Sequence, residues 1–300
     1  MTSCASILNQ KHKTISIYTT KTTKIIYKTD TLKTSNNKTN IRVDRSNNPI
    51  KIIAKTDSLT KTIEIKPKNS PLYWYNIGYN FGIGMLIDQN NPKRYTYPGY
   101  IYINSSDTIS KYSTFKQNHY KGEIDLHVSL PYINSFLLKP ENEGVKSNTG
   151  FMGFTIGCDY YHSKNQFLNL GFSIATDFFL PGPAVVDFSG EKEFMSSKYI
   201  SLSNNHKIKR FTLGYGFSYS KNTWDYQYYD MLDPPPPTKD PVKKSHNAFG
   251  LIFPTYYQIG NYFNIGIIYK PTFYRPQISN KLDYEHLFSI DFAWKIPLKI

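Results

Sequence analysis

The last fifteen residues of the chain alternate strictly between two kinds of side chain. One register of residues 286–300 is apolar and largely aromatic or branched: Phe288, Ile290, Phe292, Trp294, Ile296, Leu298 and Ile300. The other register is small or polar: Ser289, Asp291, Ala293, Lys295, Pro297 and Lys299. A period of two belongs to a β-strand whose two faces meet different surroundings. The chain therefore ends in a predicted strand with one apolar and one polar face.

The same alternation recurs in seven earlier segments. They are Glu123–Leu130, Met152–Tyr160, Leu168–Phe178, Arg210–Tyr219, Trp224–Tyr228, Ala248–Phe253 and Phe263–Lys270. Together with the closing segment, they predict eight strands. One face of these strands is mostly small or charged, and the other is uniformly large and apolar. A narrow eight-stranded barrel has no room inside for so many large side chains, which favours the polar face inside.

The predicted connections between these strands alternate in length. Tight turns are expected at His162–Asn165, Ser220–Asn222 and Gly260–Asn261, and long loops at about 139–150, 181–206, 230–246 and 275–285. Short turns at one end and long loops at the other are typical of transmembrane barrels, with the turns in the periplasm. The predicted fold is all-β, with an eight-stranded antiparallel transmembrane β-barrel over residues 121–300. A soluble lipocalin-like barrel, with the apolar face inside, is the alternative.

Composition excludes a helical membrane protein, because no segment approaches the run of about 20 apolar residues that a spanning helix needs. Aromatic residues make up 16% of the chain, as the aromatic girdles of a barrel require. The net charge is +14, and residues 1–70 hold 14 Lys and Arg against 4 Asp and Glu. This excess predicts attraction to anionic lipid or another polyanion, with a biased composition as the alternative. No nucleic-acid-binding motif carries the basic residues, so a nucleic-acid partner is not expected.

The region before the barrel divides into three predicted parts. Residues 1–12 form a tail in which Ser3-Cys4-Ala5-Ser6 resembles the end of a bacterial lipoprotein signal, so Cys4 is the predicted lipidation site. Residues 13–70 read as short strands separated by turn residues, which predicts a small periplasmic β-sandwich-like domain. Residues 71–120 are predicted to be an aromatic connector followed by a polar linker.

Two sets of barrel and connector residues are candidates for function. The predicted polar cluster of the barrel lumen is Glu123, Asp125, His127, Asp159, Asp177, Arg210, Lys270, Asp291 and Lys295. The predicted membrane-interface aromatics are Tyr73, Trp74, Tyr75, Trp224, Tyr226 and Trp294. Charges in a narrow lumen must pair, which favours a salt-bridged plug. A proton or ion path and acid–base catalysis stay open as alternatives.

Evidence for catalysis is sparse in the sequence. The predicted loops contain His162, His206, His246 and His286 with serines nearby, but no nucleophile motif such as GxSxG is present. No His, Cys, Asp and Glu spacing indicates a metal site, and no cofactor is expected. The segment Asp233–Thr238 contains four consecutive prolines and is interpreted as a rigid spacer.

The lipoprotein-like Cys4, the small β domain, the aromatic connector and the terminal barrel together resemble outer-membrane β-barrel lipoproteins of the Bacteroidota with a PEGA-like N-terminal domain. The resemblance implies a bacterial outer-membrane location with the N-terminal domain in the periplasm, and it implies no catalytic residues. The expected role is structural or interaction-based rather than enzymatic. The expected partners are outer-membrane lipid and a periplasmic or cell-surface protein. A lipid-modifying enzyme and a soluble lipocalin-like binder are the competing hypotheses.

Overall fold

A computed structural model describes residues 4–116, 119–178, 190–229, 240–276 and 283–298. The chain divides into two compact units, residues 1–116 and residues 117–300. The segment 233–238, predicted to be a rigid spacer, and the terminal Ile300 lie outside the described residues. Within the described part, every helix is too short or too polar to cross a membrane.

The first unit consists of short strands followed by two short helices and two further strands. The elements are α1 (Cys4–Leu8), β1 (His12–Thr19), β2 (Lys24–Tyr27), β3 (Asp30–Lys33), β4 (Lys38–Asp44), β5 (Ile50–Lys55), β6 (Thr60–Ile65), β7 (Lys68–Asn69), α2 (Pro71–Asn80), α3 (Ile83–Ile87), a 3-10 turn (Pro92–Arg94), β8 (Tyr95–Thr96) and β9 (Tyr100–Ile103). The predicted strands of residues 13–66 therefore all have counterparts in the structure.

Two small sheets of this unit share one apolar core. One sheet has the order β4-β1-β9 and the other β3-β2-β5-β6. Inward residues at every second position of the strands, such as Ile15 and Ile17 of β1 and Ile63 and Ile65 of β6, are fully buried against each other. Alternation with one buried face is what a two-layer β domain requires, because each sheet can bury only one of its faces.

The segment predicted to be a connector is part of this first unit. Strand β9 pairs in parallel with β1, and its Ile101 lies in the shared core. Residues 71–80 are helical because Ser70 caps the helix, its hydroxyl accepting a hydrogen bond from the Tyr73 amide, and because Pro71 occupies the first turn. Ser-Pro is a helix-start signal, and the apolar, aromatic composition of the segment obscured it.

The second unit is a closed barrel in which each strand pairs with its neighbours in chain order. Its eight strands are β10 (Ile124–Leu138), β11 (Lys146–Ser163), β12 (Gln166–Phe178), β13 (Gly190–Ile208), β14 (Phe211–Tyr229), β15 (Val242–Gln258), β16 (Phe263–Tyr274) and β17 (Glu285–Leu298). The barrel closes through antiparallel pairing of β10 with β17. The prediction of an eight-stranded antiparallel barrel is confirmed.

Two strand assignments were wrong, although the strand count was right. The turn predicted at Ser220–Asn222 does not exist, because β14 runs straight through it for 19 residues. Strand β13 occupies most of the region that was predicted to be a long loop over 181–206. The outer positions of β13 include Lys198, Asn204 and His206 among apolar residues, so its alternation of hydrophobicity is weak. Pairing with both β12 and β14 holds it in the sheet.

With these corrections, short and long connections still alternate. We call the end with the connections 164–165, 209–210 and 259–262 the turn end. We call the opposite end, with the connections 139–145, 179–189, 230–241 and 275–284, the loop end. Strand β10 starts and β17 finishes at the turn end, as predicted.

The outer surface of the barrel carries an apolar belt. Alternate residues of the strands, including Phe154, Leu170, Leu202 and Phe217, point outward and are 47%, 56%, 52% and 73% exposed, while the residues between them point inward. Within this belt, the charged residues therefore face the inside and the large apolar residues face the outside. This distribution contradicts the soluble lipocalin-like alternative, which requires the opposite arrangement.

Polarity reverses along β14 beyond this belt. Its outer face changes from Phe217 and Tyr219 to the exposed Lys221, while the inner face changes from Ser218 and Ser220 to the buried Trp224 and Tyr226. The prediction that Trp224 and Tyr226 are interface aromatics is wrong for this reason. Since β14 is one continuous strand, the period of two places even-numbered residues inside along its whole length.

Candidate functional site

The interior of the barrel holds three groups of polar side chains. The turn-end cluster comprises His119, Glu123, Asp125 and Lys207. The central cluster comprises His127, Asp159, Asn169, Tyr256, Asp291 and Lys295. The loop-end cluster comprises Lys139, Asn222, His246, Arg275, Asp283 and Glu285. Nearly all these side chains are buried, so their mutual contacts decide what the interior can do.

The turn-end cluster begins just before β10. The Lys207 Nζ lies 3.0 Å from His119 Nε2, and His119 Nδ1 lies 3.1 Å from Glu123 Oε1. The His119 ring stacks on Tyr161 with a centroid separation of 3.9 Å. An ammonium group can only donate, so Lys207 donates to Nε2, and the neutral imidazole carries its proton on Nδ1 toward Glu123.

Three of these side chains resemble a metal-binding set. Ligand atoms of His119, Glu123 and Asp125 lie within 4.8 Å of one another, and all three residues are buried. A metal ion at Nδ1 of His119 would have to replace the proton that Nδ1 carries when Lys207 donates to Nε2. Lys207 supplies one positive charge against the two carboxylates, so it compensates only one of them. The contacts of His119 with Lys207 and Glu123 already involve both ring nitrogens, and we therefore assign no metal to this cluster.

The central cluster is organised around Asp159, which is completely buried. Its Oδ2 accepts a hydrogen bond of 2.6 Å from Lys295 Nζ, and its Oδ1 accepts one of 2.6 Å from Asn169 Nδ2. His127 Nδ1 lies 3.7 Å from the same Oδ1. Elsewhere in this cluster, the Tyr256 hydroxyl of β15 donates to Asp291 Oδ2 of β17 at 2.6 Å. Each charge of the central cluster thus faces an opposite charge or a hydrogen-bond donor.

The loop-end cluster is centred on Glu285, the first residue of β17. Its Oε2 lies 2.9 Å from His246 Nε2 and accepts a 2.9 Å hydrogen bond from Asn222 Nδ2. Its Oε1 accepts a 2.8 Å hydrogen bond from the Lys139 amide and lies 3.4 Å from Arg275 Nη1. Glu285 therefore connects three strands and two of the connections at the loop end.

Asp283 extends the loop-end cluster toward solvent. Lys139 Nζ donates to Asp283 Oδ1 at 2.9 Å, and the guanidinium of Arg275 donates to Oδ2. The hydrogen bonds from Lys139 and Arg275 hold the pKa of Asp283 below its usual value. Arg275 also donates to the Lys139 carbonyl oxygen. The buried guanidinium consequently joins the connections 139–145 and 275–284.

Little free space is left in this interior. An apolar core that includes Phe136, Met195, Trp224 and Leu287 fills much of the loop-end half. Beside His127 and Lys295 lies a cavity of ≈ 20 Å³ that is lined by both polar and apolar side chains. This volume holds about one water molecule. The described interior is packed, which agrees with the expected plug and not with an open channel.

The predicted lumen residues occupy different parts of the molecule. Seven side chains lie inside the barrel, from the turn end to the loop end: Asp125, His127, Asp159, Asp177, Lys270, Asp291 and Lys295. Glu123 is buried immediately before β10. Arg210 lies in the turn between β13 and β14, where it donates to the Gln258 carbonyl oxygen. It is not a lumen residue, since β14 begins at Phe211, one residue later than predicted.

The remaining predicted aromatics and the lipidation residue also have defined places in the chain. Trp294 points outward from β17 near the turn end. Tyr73 is buried in the first unit, whereas Trp74 and Tyr75 are exposed on α2. Cys4 is the first residue of α1.

The four histidines that were predicted to lie in loops are all in strands, because β11, β15 and β17 extend further than predicted and β13 lies where a loop was predicted, and they separate into two groups. His162 lies near Asn204, His206 stacks on Tyr215, and His286 lies among tyrosine rings. His246, by contrast, is buried in the barrel and paired with Glu285. No sequence signal identified Glu285, Asn222 or Arg275, because their partners come from distant strands. Of the loop-end cluster, only His246 was among the candidate functional residues predicted from the sequence.

Comparisons with known proteins return structures but no family. No protein-family model matches the chain, and no curated protein matches it. The chain is similar to the crystal structure of Ail, the attachment invasion locus protein of Yersinia pestis, with 10% identity and a TM-score of 0.38, over 59% of this chain and 99% of that one. It is similar to Neisserial surface protein A with 8% identity and a TM-score of 0.34, over 59% and 96% of the two chains. It is also similar to OmpT, an outer membrane protein of Vibrio cholerae, with 10% identity and a TM-score of 0.22, over 95% and 96%.

Proposed function

We propose that this protein is an outer-membrane β-barrel with a structural or interaction role, whose closed barrel anchors the N-terminal β unit and displays the loop-end connections. The observation that carries the proposal is the inverted surface of the barrel. Large apolar side chains such as Leu170, Phe211 and Phe217 are more than half exposed, whereas Asp159, Asp291 and Glu285 are fully buried. In water this distribution would be unfavourable, and in a bilayer it is the expected one.

Strand length supports the same proposal. A transmembrane strand needs about 9–11 residues, whereas β13 and β14 have 19 each. The outward residues of β14 are apolar from Phe211 to Tyr219, a span of membrane length, and polar from Lys221 onward. On β15 the change occurs in the same row, at Asn247, which pairs with Lys221, and on β13 the apolar outer residues Leu202 and Ile200 are followed by Lys198, which also pairs with Lys221. The loop-end halves of these strands then extend beyond the bilayer.

The packed interior supports a role without transport. The apolar core and the three polar clusters leave a cavity of ≈ 20 Å³ in the described interior. Eight-stranded barrels are narrow enough for side chains to fill them. In the loop-end cluster, Glu285 contacts His246, Arg275 and Asn222. Because this hydrogen bonding already accounts for the His–Glu pair, we assign it to structure rather than to lipid-modifying catalysis.

Orientation and anchoring belong to the same proposal. The chain enters and leaves the barrel at the turn end, which in transmembrane barrels faces the periplasm. We therefore assign the N-terminal unit to the periplasm. Lipidation of Cys4 would add a second attachment beside α1, where Ser6 and Asp88 hydrogen-bond. Metabolic labelling with a fatty acid, compared between the native chain and C4S, tests this modification.

The experiment that tests the proposal is heat modifiability. The full chain, folded in detergent, is run on SDS gels with and without boiling. A closed membrane barrel resists SDS, so the unboiled sample should migrate at a different position from the boiled one. A protein that stays soluble without detergent and shows no shift would contradict the proposal. The double variant L170E/F217E places charges in the outward belt and should abolish insertion into vesicles, whereas K221E lies beyond the belt and should insert normally.

A further inference from the structure

The first unit contains a basic groove that the proposed membrane role does not use. It has a volume of ≈ 600 Å³, within the range of about 300–1,000 Å³ that small-molecule sites occupy. Its lining includes Asn9, His12, Lys13, Thr14, Arg42 and Arg45. No acidic side chain is among the described residues that line it. Three permanent positive charges therefore meet in one concave site.

Strands β1 and β4 and the residue after β4 supply the three cations. Lys13 pairs with Val43 and Arg42 pairs with Thr14, so the period of two places Lys13 and Arg42 on opposite faces of the sheet, and both line the groove at the end of this strand pair. Arg45 follows β4 directly, and its amide donates to the Lys11 carbonyl oxygen at 3.0 Å. One end of a single strand pair therefore carries all three cations of the groove.

The Arg45 guanidinium is held in place by two hydrogen bonds and keeps further N–H donors available. Its Nε donates to the Gln10 carbonyl oxygen at 2.9 Å, and its Nη1 donates to the Tyr95 carbonyl oxygen at 2.7 Å. The Nη2 group makes no hydrogen bond to the residues that the structure describes. A guanidinium has five N–H donors in a rigid fork, so the donors left over keep a fixed direction.

Lys13 is partly buried beside another cation, and the acidic residue Asp44 of β4 is paired elsewhere. Burial and the nearby Arg45 guanidinium lower the pKa of the Lys13 ammonium. Lys13 has no ion pair within the described chain. Asp44 precedes Arg45 in the sequence, and its carboxylate is paired elsewhere: Oδ1 lies 2.6 Å from His12 Nδ1 and Oδ2 lies 3.6 Å from Lys28 Nζ. A partly desolvated cation beside other cations is unfavourable until an anion joins it.

We propose that this groove binds an anionic ligand through a phosphate group. A phosphate monoester carries about −1.5 to −2 charges at pH 7 on one tetrahedral group, whereas a carboxylate carries a single charge on a planar one. Three cations that line one groove can donate to several oxygens of such a group. Arg and Lys bind phosphate through charge-assisted hydrogen bonds. The phosphate can belong to a soluble compound or to a lipid headgroup, and the test separates these two sources.

The test uses the full chain in nanodiscs of zwitterionic lipid, with pyrophosphate as the probe in titration calorimetry. The double variant K13Q/R42Q removes two cations of the groove. The control K51Q/K55Q removes the same charge from exposed positions of β5 in the other sheet. Pyrophosphate should bind the native chain and the control equally, and the groove variant about tenfold more weakly or worse, as expected when two charge-assisted contacts are lost.

Three results would overturn the assignment. They are an unchanged affinity of K13Q/R42Q, an equal loss in K51Q/K55Q, and citrate binding as tight as that of pyrophosphate. Circular dichroism and the heat-dependent gel shift check that the variants are folded, so a folding defect is recognised separately. Co-sedimentation with phosphatidic acid vesicles, competed by pyrophosphate, indicates a lipid source, and binding to pyrophosphate alone indicates a soluble one.

Discussion

Replacing Glu285 should open the loop end of the barrel and destabilise it strongly. The side chain is fully buried and lies against His246, Asn222, the Lys139 amide and Arg275. Truncation in E285A leaves the buried Arg275 guanidinium without this carboxylate. Breaking a buried charge pair from one side costs about 3–5 kcal/mol. The ratio of folded to unfolded barrel should therefore fall by about a hundredfold to several thousandfold.

The assay is equilibrium unfolding in urea of the detergent-folded chain, followed by tryptophan fluorescence. Trp224 is buried in the loop-end half of the interior, so its emission reports on this region. The variant E285Q preserves the volume and removes only the charge, and should lose about 1.5–3 kcal/mol, the contribution of hydrogen bonds to a charged group. The control D225N breaks the exposed pair with Lys243.

The control should change the free energy of unfolding by less than about 1 kcal/mol, as surface ion pairs do. The reasoning is refuted if E285A unfolds at the same urea concentration as the native chain, or if D225N is as damaging as E285A. Either result would mean that the loop-end cluster does not hold the barrel closed.

Three further predictions concern other parts of the molecule. N134L should lower the free energy of unfolding by about 1–3 kcal/mol in the same urea assay, since the Asn134 amide lies 3.0 Å from three backbone carbonyl oxygens at a β-bulge. A smaller loss would mean that water replaces the amide. K221E should raise the same free energy by about 0.2–1 kcal/mol, because Lys198 and Lys221 are directly opposite on neighbouring strands; a decrease would contradict the register. In the first unit, the hydrogen bond from the buried Lys61 holds the pKa of Asp107 below its usual 3.8. The stabilisation should be complete above this value and disappear as the pH falls through the lower folded pKa, and an acid titration by circular dichroism should show no such dependence in D107N.

The sequence determined the faces of the strands wherever the two sides meet different surroundings. Within the apolar belt, the outer face consists of large apolar residues such as Leu170 and Phe172, and the inner face contains polar residues such as Asp159 and Ser173. The period of two was therefore visible in the sequence. The inward position of Asp125, Asp291 and Lys295 followed from it, whereas the count of eight was right because dividing β14 into two strands and missing β13 cancelled. Strands β1, β2, β4, β5 and β6 of the first unit were readable for the same reason, because each of them buries one face in the shared core.

The candidate site could be predicted only in part. The sequence indicated which strand residues face inward, because that depends on parity along a single strand. It did not indicate which of them meet. Glu285 and Asn222 are 63 residues apart, and Lys207 and His119 are 88 residues apart, so their contacts depend on the register of strands across the whole barrel. A shift of one residue in any pairing would separate them.

Tertiary structure alone decided the polarity of the barrel beyond the apolar belt and the existence of β13. Outside the belt, the outer face becomes polar while the inside stays packed. Trp224 therefore lies inside and Lys221 outside, the reverse of the apolar-outside, polar-inside pattern of the belt. Strand β13 has little hydrophobic contrast of its own and is defined by backbone hydrogen bonds to β12 and β14. Alternation in a sequence records the surroundings of one strand, whereas pairing is a property of two strands. The sequence by itself therefore determined a barrel with an apolar outer belt, and only the closed sheet decided how far its strands extend and which charges meet inside.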